Sequence, residues 1–363
     1  MMPTSQFDLA IVGGGPAGTS AAITASRLGA TVAMFEARTF PRHKVCGEFV
    51  SAEALQLLER LLTGSGHEAI VHAAPQVSQC RLYLGDRTLE AAVSPAARSI
   101  TRYDLDAALW AAAQDVGVEA HASCEVIGVR GEGPFELRSS EGIYSAKAVI
   151  IAAGRWSQFT PNRRLPAAPK WIGLKGHFRE ARPNASTDLY FFEHGYCGVQ
   201  PIGGDVVNAC AMVRSDRATS LAEVFRLHSR LAERAAHWQP ATTAVSTSPL
   251  VYRPAQPVNG NLLFAGDAAA FIDPFVGDGI SLALRSGEAA AQCLGPLFCG
   301  ESGLDVCLSD YSREYRRRFV PLLSAASRVR SLLALPAIAR TAAFELLRLP
   351  GVMPMVIRNT RGQ

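Results

Sequence analysis

Hydrophobic positions in this chain change period several times, and each change marks an element. Residues 7 to 12, FDLAIV, form a short apolar run with the β-branched content of a buried parallel strand. They lead straight into Gly13-Gly14-Gly15-Pro16-Ala17-Gly18, after which TSAAITASRLGA places Ile23 and Leu28 on one face of a predicted helix that stops at Gly29. A second apolar strand, TVAMFE, ends in Glu36. Between 171 and 213 the pattern becomes alternating, in WIGLKGHF, DLYFFEHGYCGVQPI and DVVNACAMV, with breaks at Pro183-Asn184 and Gly203-Gly204, which predicts an antiparallel sheet. Residues 262 to 287, LLFAGDAAAFIDPFVGDGISLALRSG, read as an apolar strand, a Pro-Gly turn and a fresh Ala-rich helix. Helical spacing returns at the end, where SLLALPAIARTAAFELLRL interleaves arginines with apolar residues and predicts amphipathic helices covering the core.

Composition narrows the class. At 363 residues, with 48% apolar and 19% charged residues, the chain suits roughly two interlocked globular domains and has no low-complexity tract. The net charge of +4 is uneven: from Asp310 to Gln363 ten arginines face three acids. That basic end could touch anionic lipid, a carrier protein or a CoA-like thioester, and nothing in the charge pattern calls for nucleic acid. The eight cysteines form no CxxC pair, so neither zinc nor an iron–sulfur cluster is indicated, and reduced thiols fit a cytoplasmic protein, at most peripheral to a membrane. No stretch reaches the ~18 apolar residues of a membrane span.

The first sixty residues carry the clearest chemistry. Gly13, Gly15 and Gly18 stand in the GxGxxG register between a strand and a helix, with Pro16 and Ala17 opening that helix. Gly13 allows the tight turn, Gly15 lets backbone approach a pyrophosphate, and Gly18 lets helix and strand pack closely, while the helix N-terminus offers free amides to phosphate. Glu36 is placed to accept bonds from the adenosine ribose hydroxyls. The motif alone does not separate FAD from NAD.

Further segments make that choice by resemblance. Residues 262 to 287 resemble the second flavin-binding signature of the group A flavoprotein monooxygenase superfamily, and DPFVGDGI is closer to its geranylgeranyl reductase branch. The resemblance implies that Asp267 binds the ribityl chain, and that Gly277, Gly279 and Ile280 line the flavin edge where a helix dipole favours the anionic reduced ring. The stretch from Ser99 to Asp106 resembles the family's Arg-x-x-Leu/Phe-Asp segment, in which Arg102 would help hold the cofactor and the acid would cap or brace the next helix. Cys124-Glu125-Val126 and VIIAAG, ending in Gly154, resemble the segments that meet the adenine, through the backbone of Val126 in the first case. The loop from Glu36, Ala37 and Arg38 to Cys46, Gly47 and Glu48 is similar to the family's approach to the isoalloxazine ring. There Cys46 would either assist protonation of the substrate or simply let the ring pack.

The fold implied is α/β, α+β overall: a Rossmann-like, glutathione-reductase-type FAD-binding domain from residues 1–75, 98–165 and 255–300, a substrate-binding sheet domain from 76–97 and 166–254, and basic helices over 301–363. Tyr196-Cys197-Gly198-Val199-Gln200-Pro201 resembles the YxWxFP substrate motif of the reductases, with Gly198 and Gln200 in place of aromatics, which predicts a wider, more polar cavity and argues against halogenation. Tyr190, Phe191, Phe192 and Tyr196 are candidate lining residues, although alternate strand positions face opposite ways. The resemblance implies an FAD oxidoreductase, reduced transiently by NAD(P)H, that reduces a C=C bond of a hydrophobic molecule. Oxygenation of an aromatic or polyketide-like ring and flavin electron transfer are the alternatives.

Overall fold

The computed structural model describes residues 6–155, 158–159, 170–271, 277–333, 337–348 and 352. The chain has an α/β fold built on two sheets. In the first, β1 (Gln6–Val12) pairs in parallel with β2 (Val32–Glu36) on one side and with Ile143–Ile151 on the other. Glu119–Ala122 continues the sheet beyond β2, and Leu262–Phe264 continues it beyond Ile143–Ile151. These strands are buried on both faces, which is why FDLAIV and AVII read as unbroken apolar runs rather than alternations. Helix α1 (Pro16–Arg27) returns the chain from β1 to β2 and ends before Gly29, whose φ of +86° suits glycine.

The second sheet contains Trp171–Arg179, Val206–Arg214, Gly195–Gly203 and Ser186–Phe192 in neighbouring antiparallel order. It continues through Gln76–Leu84 and Arg87–Ser99, and the pairing of Ser186–Phe192 with Gln76–Leu84 is parallel. The stretch DLYFFEHGYCGVQPI, a single alternating run in the sequence, is a hairpin in the structure. The chain reverses at Glu193-His194, with His194 at a φ of +60°.

The long helix Gly279–Phe298 packs on α1, and the approach is set by Gly287: a Cβ there would stand 2.0 Å from the Ala17 carbonyl oxygen. Helix Leu304–Arg318 lies over Gly279–Phe298, with Tyr311 and Tyr315 fully buried and the Tyr311 hydroxyl donating to the Phe264 carbonyl at 2.7 Å. Helix Ala337–Leu347 sends Phe344 and Leu347 against the second sheet. No helix among the described residues is long and apolar enough to cross a membrane.

Candidate cofactor and substrate site

The glycine loop follows β1, where the sheet's parallel strands end. Gly13 takes a φ of +113°, and a Cβ on it would lie 2.5 Å from the Ala152 carbonyl oxygen, so only glycine closes this turn. Glu36, at the end of β2, accepts from the Gly14 amide at 2.9 Å and the Arg38 amide at 3.1 Å, and pairs with Arg42 Nη1 at 2.6 Å. Arg42 Nε also reaches Asp106 at 3.3 Å, and Asp106 takes two 2.7 Å bonds from Arg102. Asp106 is fully buried; burial would push its carboxyl up, but Arg102, then Arg42 and Lys44, hold it below the usual range. The remaining nitrogen of Arg42, Nη2, is buried without a partner, 3.8 Å from where a Cβ on Gly15 would stand. The start of α1, with Pro16 in its first turn and no side chain capping it, therefore shares its opening with an orphaned guanidinium nitrogen.

The other residues implied by the resemblance continue this groove. Gly47 and Gly154 have no atom within 4 Å of the position a Cβ would take, so the backbone there is open to a ligand. Asp267 sits on the tight turn Gly266–Ala268, whose first amide donates to Ser286 at 2.9 Å. Arg155 presents a buried Nη1 without a partner. Burial lowers its affinity for the proton, and Asp267 is its first compensating charge. Val126 is buried, with its carbonyl taken by Gln158 at 3.0 Å, and Ile280 is buried in the first turn after Gly277 and Gly279. The segment Asp273-Pro274-Phe275-Val276 of the second signature lies outside the described residues, as do residues 160–165. Unpartnered arginine nitrogens and glycine-lined backbone suit a pyrophosphate-bearing ligand, so the residues present fit FAD. Arg42 and Arg155 were missed in the sequence because an arginine carries no local signal of what it faces.

The helix Arg102–Asp115 is capped by Thr101, whose hydroxyl accepts from the Asp104 amide at 3.1 Å. Asp106 does not cap it; it ties Arg102 to Arg42. Two nitrogens of Arg102 are committed to Asp106, and its side chain also reaches Cys46, so it links Arg42 to the Cys46 turn.

Behind Cys46-Gly47 lies a charged cluster. Glu48, fully buried and at a φ of +60°, accepts from Lys175 Nζ through one oxygen and pairs with His177 Nε2 at 2.9 Å through the other. Lys175 also lies 3.3 Å from His43 Nδ1. His43, Glu48 and His177 have metal-ligand atoms within 4.8 Å of one another, but the Lys175 ammonium occupies the position a cation would take. Burial, then the charges of Lys175 and His177, lower the His43 imidazole to about 4, which keeps it neutral near pH 7.

The hairpin decides which aromatics face the cofactor half. Paired residues share a face, so Phe191 and Tyr196 go together, while Tyr190 joins Cys197 on the other side. Phe191 and Tyr196 belong to an inner cluster with Met212, Leu250 and Phe49, against which Tyr252 and Phe271 pack. Tyr190 and Phe192 lie on the outer face beneath Leu221, Val224 and Leu231, where Tyr190 stacks on Tyr83 at 4.5 Å and accepts from Arg234. As candidate substrate residues, Tyr190 and Phe192 are corrected to outer core. At the two positions that lack the aromatics, Leu189 Cδ2 stands 3.2 Å from where a Cβ on Gly198 would lie, and Gln200 donates to Ser99 Oγ at 2.9 Å.

Asp278, just before the helix Gly279–Phe298, is 3% exposed, with one oxygen bonded to Ser51 and the other unpartnered. Burial raises its carboxyl from 3.8 to about 6. The protonated form is favoured in the folded protein, so this contribution to stability is complete below the unfolded value of 3.8 and is lost as pH rises through about 6. Asp278→Asn is expected to gain roughly 2 to 3 kcal/mol over the parent between pH 4 and pH 7.5. Urea unfolding of the two apoproteins across that range checks it; parallel stability curves would contradict a neutral Asp278.

The family model for pyridine nucleotide-disulphide oxidoreductases matches residues 7–189. The chain is 24% identical to the menaquinone reductase of Mycobacterium tuberculosis, over 97% of this chain and 90% of that one. It is 26% identical to a digeranylgeranylglycerophospholipid reductase of Methanoculleus marisnigri, over 86% and 82% respectively. A flavin-dependent brominase structure superposes with a TM-score of 0.84 at 19% identity, covering 98% of this chain and 94% of its own. A geranylgeranyl bacteriochlorophyll reductase-like structure from Thermoplasma acidophilum gives 0.71 at 24% identity, covering 92% and 88%. Both structures share the fold.

Proposed function

The chain belongs to the pyridine nucleotide-disulphide oxidoreductase family and is an FAD-dependent oxidoreductase, and from that premise we propose that it reduces a C=C bond of a hydrophobic organic molecule, with NAD(P)H as the electron donor. The observation that carries the proposal is the inner face of the second sheet, where Phe191, Tyr196 and Met212, with Tyr252 and Phe271 against them, build an apolar wall. Such a wall suits an apolar substrate and excludes water from a hydride-transfer site. Among the relatives are reductases named for menaquinone and for digeranylgeranylglycerophospholipid, which supports a lipid-like substrate.

FAD, held by Arg42, the start of α1 and Asp267, would supply the hydride. The chain's own part is to orient the unsaturated group along the inner face, keep water out, and deliver a proton to the reduced carbon. Cys46, half-buried beside the open backbone of Gly47, is the candidate donor. Its Sγ accepts from the Glu48 amide at 3.3 Å, which holds the thiol in place. Contact of the basic C-terminal helices with a membrane surface or carrier protein would bring such a substrate to the site.

The test is anaerobic. Photoreduced enzyme mixed with polyprenyl or quinone compounds should be reoxidised and should yield a product two hydrogens heavier. Cys46→Ala should keep FAD and slow product formation by about 10- to 100-fold, the effect of one positioned proton donor. Incorporation of one oxygen atom in aerobic turnover, with no anaerobic product, would establish oxygenation instead and reduce Cys46 to a packing residue.

A further inference from the structure

The Glu48 cluster holds three consecutive residues of the chain to the second sheet. Lys175 and His177 are two apart on one strand and so share a face, and Asn208 stands opposite His177 on the neighbouring strand. Asn208 Nδ2 donates to the Cys46 carbonyl at 3.1 Å and to the Gly47 carbonyl at 2.9 Å, while Lys175 and His177 hold the Glu48 carboxylate. The grip is completed from the cofactor half. The Arg102 amide donates to Glu48 Oε1 at 2.8 Å, and the Ile100 amide to the Glu48 carbonyl at 3.0 Å.

A buried ammonium–carboxylate pair is a poor way to gain stability, since apolar residues of similar volume usually do as well. What it supplies is directional definition: the carboxylate is reached from two elements, the strand Trp171–Arg179 and the start of the helix at Arg102, and its residue holds a left-handed backbone that side chains other than glycine seldom adopt. Burial would push Glu48 up, but the His177 hydrogen bond and the Lys175 charge hold it below the usual range, so the anchor is charged near pH 7.

We propose that Glu48, together with Lys175 and His177, is a positioning residue that locks the Cys46–Gly47 turn between the two sheets and thereby sets the seat of the flavin. The proposal rests on the reading that Cys46-Gly47 borders the flavin. Glu48 acts through the turn; it touches no reacting atom.

The experiment compares Glu48→Gln, His177→Gln and the double variant Glu48→Gln/Lys175→Met with Arg234→Met. Arg234 forms a largely buried pair with Asp188 and Glu180 on the outer face and serves as the structural lesion for comparison. Three quantities are read: the apoprotein melting temperature, FAD affinity by quenching of flavin fluorescence, and the rate of Cys46 alkylation by iodoacetamide, followed by peptide mass.

Glu48→Gln should weaken FAD binding by about 10-fold or more and speed Cys46 labelling by roughly 5-fold, with His177→Gln changing both in the same direction by a smaller factor. The double variant should recover melting temperature, because no unpaired ammonium remains, yet keep the weakened FAD affinity, because the anchor is still missing. Arg234→Met should lower the melting temperature and leave the other two readouts unchanged. If FAD affinity returns together with melting temperature in the double variant, the cluster is structural only and the proposal fails. Unchanged labelling and affinity in Glu48→Gln would overturn the positioning role while leaving the flavin seat intact. Faster labelling with unchanged FAD affinity would instead overturn the reading of the turn as flavin seat, and the proposal with it.

Discussion

Gly18→Ala is expected to yield little folded protein and no yellow colour, whereas Gly15→Ala, three residues away, should fold normally and still fail to take up FAD. At Gly18 a Cβ would stand 1.8 Å from the Gly13 carbonyl oxygen, far inside van der Waals contact. That oxygen has no room to retreat. Gly13 donates to the Phe35 carbonyl at 2.7 Å, and its own Cα face is pressed against Ala152. Relief would have to separate α1 from β1, and overpacking of this kind costs about 1 to 3 kcal/mol or more in a well-packed core. At Gly15 the only neighbour of an added Cβ is Arg42 Nη2 at 3.8 Å, so the apoprotein can accept the methyl group without strain. The methyl would instead enter the space between the loop and the orphaned guanidinium nitrogen, where a pyrophosphate fits. Thermal unfolding and the visible flavin absorbance of each purified variant separate the two effects. A yellow Gly15→Ala protein at full occupancy would remove the loop from the cofactor site.

Arg42→Met should raise the FAD dissociation constant by about 10- to 150-fold, the value of one charge-assisted hydrogen bond at roughly 1.5 to 3 kcal/mol. The methionine keeps the buried stem and removes the guanidinium. Asp106 retains both bonds from Arg102, and Glu36 retains the Gly14 and Arg38 amides but loses its 2.6 Å ion pair. Apoprotein stability should fall, by up to roughly 3 to 5 kcal/mol for one member of a buried pair, so affinity is measured at a temperature where the variant is fully folded. Fluorescence titration of apoprotein with FAD checks it. Unchanged affinity would mean that Nη2 faces no phosphate.

The parts of the site that sequence made legible are those encoded locally. A glycine register between a buried strand and a helix, with an acid at the end of the next strand, needs no distant partner to be recognised, and Gly13, Gly15, Gly18 and Glu36 converge in the fold. The faces of the second sheet were harder. In a continuous strand Tyr190, Phe192 and Tyr196 would lie on one side, but the reversal at Glu193-His194 inverts the parity, and no glycine marks it at the left-handed position. Both faces are apolar, so alternation could not say which one looks toward the cofactor. Glu48 and Lys175 are 127 positions apart. Nothing near either residue announces the other, although a lysine and a histidine in the alternate positions of WIGLKGHF already broke the apolar register and offered the one available sign.

The two-residue strand Phe49–Val50 pairs with Arg98 and Ser99, directly after the Cys46–Gly47 turn. The chain thus leaves the nucleotide-binding half and enters the second sheet with no linker between. Anyone exchanging substrate sheets between homologous enzymes should not cut at the point where the sequence pattern first turns to alternation, near residue 76. A graft that leaves residues 43–50 behind would join one protein's carboxylate to another's lysine and histidine across a buried interface. The transplantable unit includes that loop and the start of the helix at Arg102, and crossover points inside either would break the lineage of contacts that lets the two sheets recognise each other.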